Sequence, residues 1–160
     1  MSIKPTAKAV ALDEISPLLL GLINEGIDVT FTVVGESMSP LWCNMRDSVV
    51  LTKCDPLSLK VGDVPLCKRP NGKYVLHRIV KVHADTYDII GDNQSEIEKD
   101  LPKSCVLCVV KGFNRKGKTY SCDKVWYKFY TFSIIHLRGV CRFLMKFTWK
   151  LKNLFRGGKK

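Results

Sequence analysis

The last third of the chain almost lacks acidic residues. Residues 111–160 hold 14 lysines and arginines against one aspartate, whereas residues 1–110 hold 12 against 14 acidic residues. The net charge is therefore near −2 for the first 110 residues and near +13 for the last 50. The positive charge is therefore concentrated near the C-terminal end of the sequence rather than spread evenly along it. This imbalance indicates an ordinary domain followed by an electrostatic anchor for phospholipid head groups or another polyanion.

Long apolar runs are also missing from the sequence. No stretch reaches the roughly 20 apolar residues that a helix needs to cross a bilayer. The apolar residues 18–23 are too few for a signal sequence, and they follow Asp13 and Glu14 rather than a basic region. We therefore expect neither a membrane span nor a secretory signal, and we expect the body of the protein to stay in the cytoplasm.

The number of cysteines is odd. There are seven, mostly in apolar contexts, which favours a reduced compartment over a disulfide framework. Cys105 and Cys108 have the spacing of a metal-binding pair. No second pair accompanies them at zinc-site distance, and a strand would point the two thiols to opposite faces. We therefore expect no metal and no organic cofactor.

The 160 residues suit one domain with its own core. Ser16 and Pro17 are a good cap and first-turn pair for a short helix that ends near Gly26. Asn71 and Gly72, between two β-rich runs, predict a two-residue hairpin turn. The predicted strands, all bounded by turn residues, are residues 27–34, 48–52, 64–68, 74–80, 86–90 and 106–113.

These patterns predict a mainly β fold, namely a small antiparallel β domain with a short N-terminal helix and a C-terminal amphipathic helix. The acidic, turn-rich residues 91–100 separate the last two predicted strands. The predicted boundaries are an N-terminal helical segment at residues 1–26, the β domain at 27–120 and a basic helical tail at 121–160.

The basic tail has helical periodicity, with a basic residue at every fourth position and apolar residues on other faces. One interpretation is a helix packed on the domain's own core, with its lysines in solvent. The other, which we favour, is a helix on the inner face of an anionic membrane, where the protein is peripheral. Nucleic acid is not the expected partner. The predicted membrane-binding residues are Trp126, Arg138, Arg142, Lys146, Trp149 and Lys150.

One serine and one histidine have the placement of reactive groups. Ser37 lies in the segment Gly-Glu-Ser-Met-Ser-Pro at residues 35–40, and His77 lies inside the predicted strand 74–80. A hydroxyl at the end of one strand and a lone imidazole inside another are what a Ser-His nucleophilic pair requires. The glycine allows close backbone approach, and the proline fixes the chain beyond the serine.

Other motifs follow this segment in a fixed order. They are Asp47, Lys-Val-Gly-Asp-Val at residues 60–64, then His77 and Arg78, then Gly-Asp-Asn at residues 91–93. The ordered set resembles the signal peptidase I superfamily, which also contains the LexA-like self-cleaving repressors. Bacterial leader peptidases and the repressors use serine and lysine, whereas endoplasmic-reticulum-type signal peptidases use serine and histidine. The chain is therefore more similar to the Ser-His branch, and to its small stand-alone members without an N-terminal membrane anchor.

The resemblance covers about residues 31–112 and implies roles for individual residues. Ser37 would be the acyl-forming nucleophile, and His77 the general base and then the general acid. Two residues fit the acid that orients the imidazole. Asp92 matches the Gly-Asp-Asn element, whereas Glu98 aligns with the position at which the endoplasmic-reticulum-type enzymes place their third catalytic acid. Both alternatives stay open at this point.

The resemblance also implies an oxyanion and substrate site at Gly35 and Met38. The backbone amide of Ser37 can donate to a developing oxyanion, but Gly35 has no side chain where several relatives carry one. Stabilisation then depends on main-chain donors, and one missing donor costs roughly 3 kcal/mol. Glu36 adds a negative charge beside the nucleophile.

Several other polar residues are predicted to be structural. Asp47 and Asp63 sit at turns into strands, where carboxylates accept hydrogen bonds from local amides, and Arg78 is placed with them. His83 and His136 have no supporting context and are interpreted as surface or interfacial residues.

We therefore predict a serine endopeptidase of the signal peptidase I type that cleaves a small precursor or leader peptide. Its relatives favour small residues just before the cut, and we expect the same here. The alternative is a non-catalytic peptidase-like module that binds extended peptides and docks on a membrane or another polyanion.

Overall fold

The computed structural model describes the backbone of residues 12–137 and the side chains of residues 17–137. The chain divides into two units, Met1–Ser121 and Cys122–Lys160. The fold is mainly β with antiparallel sheets, as predicted. The elements are α1 (Leu12–Asn24), β1 (Val29–Thr32), β2 (Ser48–Thr52), β3 (Pro65–Lys68), β4 (Tyr74–Leu76), β5 (Arg78–Val82), β6 (Thr86–Ile90), β7 (Glu98–Pro102), β8 (Val106–Arg115), β9 (Lys118–Ser121) and α2 (Val125–His136).

Helix α1 ends where the sequence predicts but does not begin there. Gly26 has φ +84°, and the Ile27 N–H donates to the Leu22 carbonyl at 3.0 Å, a common way to close a helix. The prediction that Ser16 and Pro17 start the helix is wrong, because the helix is already formed at Leu12. The proline removes one backbone hydrogen bond, and the helix continues past it.

The larger sheet has the strand order β1-β2-β8-β3-β4, with β9 added to β8. The predicted β3–β4 hairpin is confirmed, but its loop has three residues rather than two. The Arg69 N–H donates to the Lys73 carbonyl, which leaves residues 70–72 in the loop, and Gly72 has φ +83°. A loop of three residues that ends on a left-handed glycine is the next most common hairpin connection after two.

The smaller sheet has the order β5-β6-β7, and β7 is a strand that the sequence analysis missed. Residues 98–100 were predicted to belong to an acidic turn-rich segment, but Glu98 pairs with Ile89 and Leu101 with Tyr87. Only Leu101 of β7 is fully buried. Because β7 is an edge strand, its other positions can carry charged residues, and these weaken the alternation of apolar and polar residues by which a strand is predicted.

Strand β9 was also missed. It forms a hairpin with β8 in which Lys116 and Gly117 both have positive φ, at 50° and 76°. A two-residue turn of this kind favours Asn-Gly or Asp-Gly, and Lys-Gly gives a weaker sequence signal.

A cluster of buried apolar side chains forms the core around the junction of β4 and β5, the strands on either side of His77. These strands belong to different sheets, so His77 lies where the chain passes from one sheet to the other. The buried members of the cluster are Leu59, Cys67, Val75, Ile79, Tyr87, Ile89, Leu101 and Val106.

The described part of the second unit contains helix α2, which confirms the prediction of a C-terminal helix. Apolar side chains occupy both buried positions, such as Tyr127 and Ile134, and exposed positions, such as Phe129 and Phe132. The basic repeat on which the amphipathic prediction depends lies beyond residue 137, outside the described residues. Within the described residues, neither helix is long and apolar enough to cross a membrane.

Candidate functional site

Ser37 lies in the loop that connects β1 and β2. A tight turn forms there, because the Ser39 N–H donates to the Glu36 carbonyl and the Trp42 N–H to the Met38 carbonyl, both at 3.1 Å. Met38 and Trp42 are buried, whereas Ser37 is half-buried. Buried apolar side chains at Met38 and Trp42 thus anchor the part of the loop that follows the half-buried Ser37.

The backbone of Ser37 packs against the turn that follows β6. The Asn93 N–H donates to the Ser37 carbonyl at 2.8 Å, and the Asn93 side-chain amide donates to the Glu36 carbonyl at 3.3 Å. A Cβ atom at Gly91 would lie 2.6 Å from the Ser37 carbonyl oxygen, a distance that forces a shift. Glycine is therefore required at position 91 for this contact.

The same turn is bound to the residue after His77. Arg78 donates from Nε and Nη2 to the two carboxylate oxygens of Asp92, each at 2.8 Å, and from Nη1 to the Gly62 carbonyl at 3.0 Å. Both side chains are fully buried. This ion pair therefore fixes the turn that contacts Ser37 to the strand that follows His77.

His77 and Gly91 flank the first residue pair of β5 and β6. Arg78 pairs with Ile90, His77 directly precedes Arg78, and Gly91 directly follows Ile90. Because the Ser37 backbone packs on Gly91, this glycine connects the Ser37 loop to the end of the strand pair that begins next to His77. The sequence motifs contain both candidate reactive residues and this glycine, but they give no signal for its contact with Ser37.

The His77 ring makes no hydrogen bond within residues 17–137. The ring is buried, and its Nδ1 atom has no hydrogen-bond partner in this part of the chain. In particular, no direct bond joins it to the Ser37 hydroxyl in the described chain. Catalytic hydrogen bonds are often long without substrate and shorten in the complex, so the Ser37–His77 bond stays a prediction.

Burial and a nearby cation lower the pKa of His77 to about 4. Burial is the larger cause, since it disfavours the charged ring, and the Arg69 guanidinium acts in the same direction. The carboxylates of Glu98 and Asp92 oppose this shift. The imidazole is therefore neutral at pH 7 and able to accept a proton.

Both candidate acids are bound by arginines. Asp92 is held by Arg78, and Glu98 accepts two hydrogen bonds from Arg69, at 2.7 and 2.5 Å. Arg69 also lowers the pKa of Glu98. Among the described residues, neither carboxylate reaches the Nδ1 atom of His77 and no other group bonds to it. The sequence gives no signal for the role of Arg69, because its partner lies 29 positions away.

The predicted oxyanion residues have separate roles. Gly35 has φ +94°, which favours glycine, and its N–H already donates to Asn44 Oδ1 at 3.0 Å. The backbone N–H groups of Ser37 and Met38 have no hydrogen-bond partner among the described residues. Two adjacent amides at the nucleophile are therefore available to a developing negative charge, while the Met38 side chain is buried.

A cavity of about 490 Å³ opens in the loop between β6 and β7. One end of the loop is Asn93, which binds the Ser37 carbonyl. The other end is Glu98, whose charge acts on His77. The lining residues are Asn93, Gln94, Ser95, Glu96, Ile97 and Glu98.

A second polar cluster lies at the far ends of β5 and β6. His83 Nε2 is 3.1 Å from Asp88 Oδ1, and the Asp100 N–H donates to the same oxygen at 3.1 Å. The ligand atoms of the three residues lie within 4.8 Å of one another, close enough to share a cation. His83 was predicted to lack supporting context, and Asp88 supplies a polar neighbour for it here.

The predicted membrane residues fall mostly outside the described chain. Trp126 lies in α2 and is 40% exposed. The others, Arg138, Arg142, Lys146, Trp149 and Lys150, lie outside the described residues.

Neither the protein-family models nor the curated proteins give a match to this chain. Its function is therefore inferred from the residues of the site.

Proposed function

We propose that the protein is a serine endopeptidase of the signal peptidase I type, with Ser37 as nucleophile and His77 as general base. Its substrate would be a small precursor or leader peptide with small residues before the cut. The observation that supports this proposal is the position of Gly91, which packs on the Ser37 backbone and directly follows Ile90, the strand partner of the residue after His77.

In this mechanism the Ser37 Oγ attacks the carbonyl carbon of the scissile bond while His77 takes the hydroxyl proton. The N–H groups of Ser37 and Met38 donate to the oxyanion that forms. The carbon–nitrogen bond then breaks, and His77 returns its proton to the leaving amine. Water, deprotonated by the same imidazole, hydrolyses the acyl ester and releases Ser37.

The acid that stabilises the protonated imidazole is, in this proposal, Glu98 rather than Asp92. Both oxygens of Asp92 bind the fully buried Arg78. Turning this carboxylate toward the imidazole would leave the buried guanidinium of Arg78 without its counter-charge. The pair of Glu98 with Arg69 is about one-third exposed, and solvent can compensate its partial loss. A shift of Glu98 toward His77 is therefore the less costly change.

A fluorophosphonate probe, which reacts with activated serines, tests the enzyme. The wild-type chain should be labelled, and Ser37→Ala and His77→Ala should each abolish labelling. Ser39→Ala removes a hydroxyl two positions away, and His83→Ala removes a histidine outside the site, so both controls should keep it. Absence of labelling in the wild-type chain would contradict the enzyme.

The second candidate is a non-catalytic module that binds extended peptides on the same site. Two observations favour it, namely the unpartnered Nδ1 of His77 and the occupation of both candidate carboxylates by arginines. Peptide binding that survives Ser37→Ala and His77→Ala, in a chain that the probe does not label, would identify this module.

We also propose that the C-terminal unit docks on an anionic membrane surface. Val125, Phe129 and Phe132 are 83%, 70% and 55% exposed and recur at helical spacing on α2. Residues 122–160 hold ten lysines and arginines against one aspartate, a charge near +9, which attracts anionic head groups. Such a combination of exposed apolar side chains and basic residues is typical of interfacial helices.

Vesicle sedimentation tests this docking. Phosphatidylglycerol vesicles should bind the protein and phosphatidylcholine vesicles should not. Phe129→Glu should weaken binding by roughly tenfold to a hundredfold, since a buried phenylalanine contributes about 1.5–3 kcal/mol. Glu25→Gln, an exposed change on the first unit, is the control. Binding to duplex DNA in preference to the vesicles, abolished by raised salt, would favour nucleic acid instead.

A further inference from the structure

The cavity between β6 and β7 is placed to receive part of a peptide bound at Ser37. Its loop begins at Asn93, whose N–H binds the Ser37 carbonyl, and ends at Glu98, whose charge acts on His77. An extended peptide whose scissile carbonyl lies at Ser37 would project alternate side chains to the same side. One of these side chains can enter the cavity.

The charge of the cavity wall is negative. Among the described residues, the lining includes Glu96 and Glu98 and no lysine or arginine. Arg69 neutralises Glu98, whereas Glu96 is exposed and forms no ion pair or hydrogen bond with any residue of the described chain. The backbone carbonyl of Glu36, an exposed residue, accepts a hydrogen bond from the Asn93 side chain at one end of the cavity.

We propose that this cavity binds a lysine or arginine side chain of the peptide, with Glu96 as its principal partner. The inference rests on the proposed function for the position of the peptide. It goes beyond that function by assigning a basic residue near the small residues expected before the cut. A volume of about 490 Å³ accommodates either long side chain, and their aliphatic stems can pack on Ile97, which is 45% exposed.

Peptide binding to the full-length Ser37→Ala chain tests the cavity without requiring cleavage. The probes are three fluorescent, end-blocked octapeptide pools that carry Lys, norleucine or Glu at a central position, with the other positions randomised. Anisotropy should show the Lys pool bound about threefold to fivefold more tightly than the norleucine pool, the range of an exposed ion pair. The preference should shrink as salt rises.

Charge reversal at the cavity provides the matched test. Glu96→Lys should reverse the order, so that the Glu pool binds more tightly than the Lys pool. Glu25→Lys makes the same change on an exposed residue outside the cavity and should leave the preference as in the parent. Circular dichroism should show all variants equally folded, since Glu96 makes no contact that the fold needs.

The outcomes separate this inference from the proposed function. Equal binding of the three pools, or a Lys preference that Glu96→Lys leaves unchanged, overturns the basic-residue pocket even if the probe labels Ser37. A preference that reverses with Glu96→Lys supports the pocket, even if labelling of the wild-type chain fails and the peptide-binding module replaces the enzyme.

Discussion

Two arginine–carboxylate pairs contribute charged groups that act on His77, and the pairs differ mainly in exposure. The Arg78–Asp92 pair is fully buried, whereas the side chains of the Arg69–Glu98 pair are 27% and 31% exposed. Both are bidentate, so their hydrogen-bond geometry is the same. The same pair of hydrogen bonds therefore has different effects in the two places. The buried pair fixes the turn that contacts the Ser37 backbone, and the accessible pair influences the pKa of His77.

The largest expected effect concerns stability. Asp92→Asn leaves Arg78 buried without its counter-charge and should lower the free energy of unfolding by about 3–5 kcal/mol. Glu98→Gln, the matched change at the accessible pair, should cost no more than about 1 kcal/mol. Urea unfolding followed by circular dichroism measures both. Equal losses would mean that exposure does not distinguish the two pairs.

The next largest effect is the pH dependence of the free energy of unfolding that His77 causes. In the folded protein the pKa of His77 is lowered from 6.5 to about 4. The free energy of unfolding is therefore highest above pH 6.5 as far as this group is concerned. It falls as the pH drops from 6.5 toward 4, by up to about 1.4 kcal/mol per pH unit, because only the unfolded chain binds the proton in this range. The difference between wild type and His77→Asn in urea unfolding at several pH values isolates it. A difference that does not change with pH would show that the ring titrates normally.

The smallest effect concerns the accessible pair alone. Arg69→Met removes a cation that lowers the pKa of His77 and releases Glu98, which raises it. Both changes act in the same direction, so the pKa should rise by on the order of 1 unit, as measured from the ring C–H shift by NMR. Lys73→Met, an exposed change in the same hairpin, is the control. An unchanged pKa would leave burial as the only cause of the shift.

Local features of the fold were readable from the sequence. Asp63 accepts a hydrogen bond from the Lys60 N–H at 2.8 Å and Asp47 from the Cys43 N–H at 2.9 Å, which confirms their predicted structural roles. These bonds span three and four residues, within the reach of turn chemistry. The β3–β4 hairpin was predicted for the same reason.

Contacts between segments that are distant in the chain could not be predicted from the sequence. Strand β7 pairs through its backbone, and its charged residues, including Glu98, conceal the alternation that identifies strands. The Arg69–Glu98 pair connects the β3–β4 hairpin of the larger sheet to β7 of the smaller sheet. Prediction could therefore name Glu98 as a candidate but not the arginine that binds it.

The close approach at Gly91 offers a way to separate folding from reactivity in this chain. A methyl group at that position meets the Ser37 backbone at its carbonyl, so Gly91→Ala must displace the neighbouring loop by a fraction of an ångström. Reactions that need aligned atoms are sensitive to displacements of that size, while a mostly intact core is not. One added carbon would then yield a reference protein with every functional group present and the alignment removed.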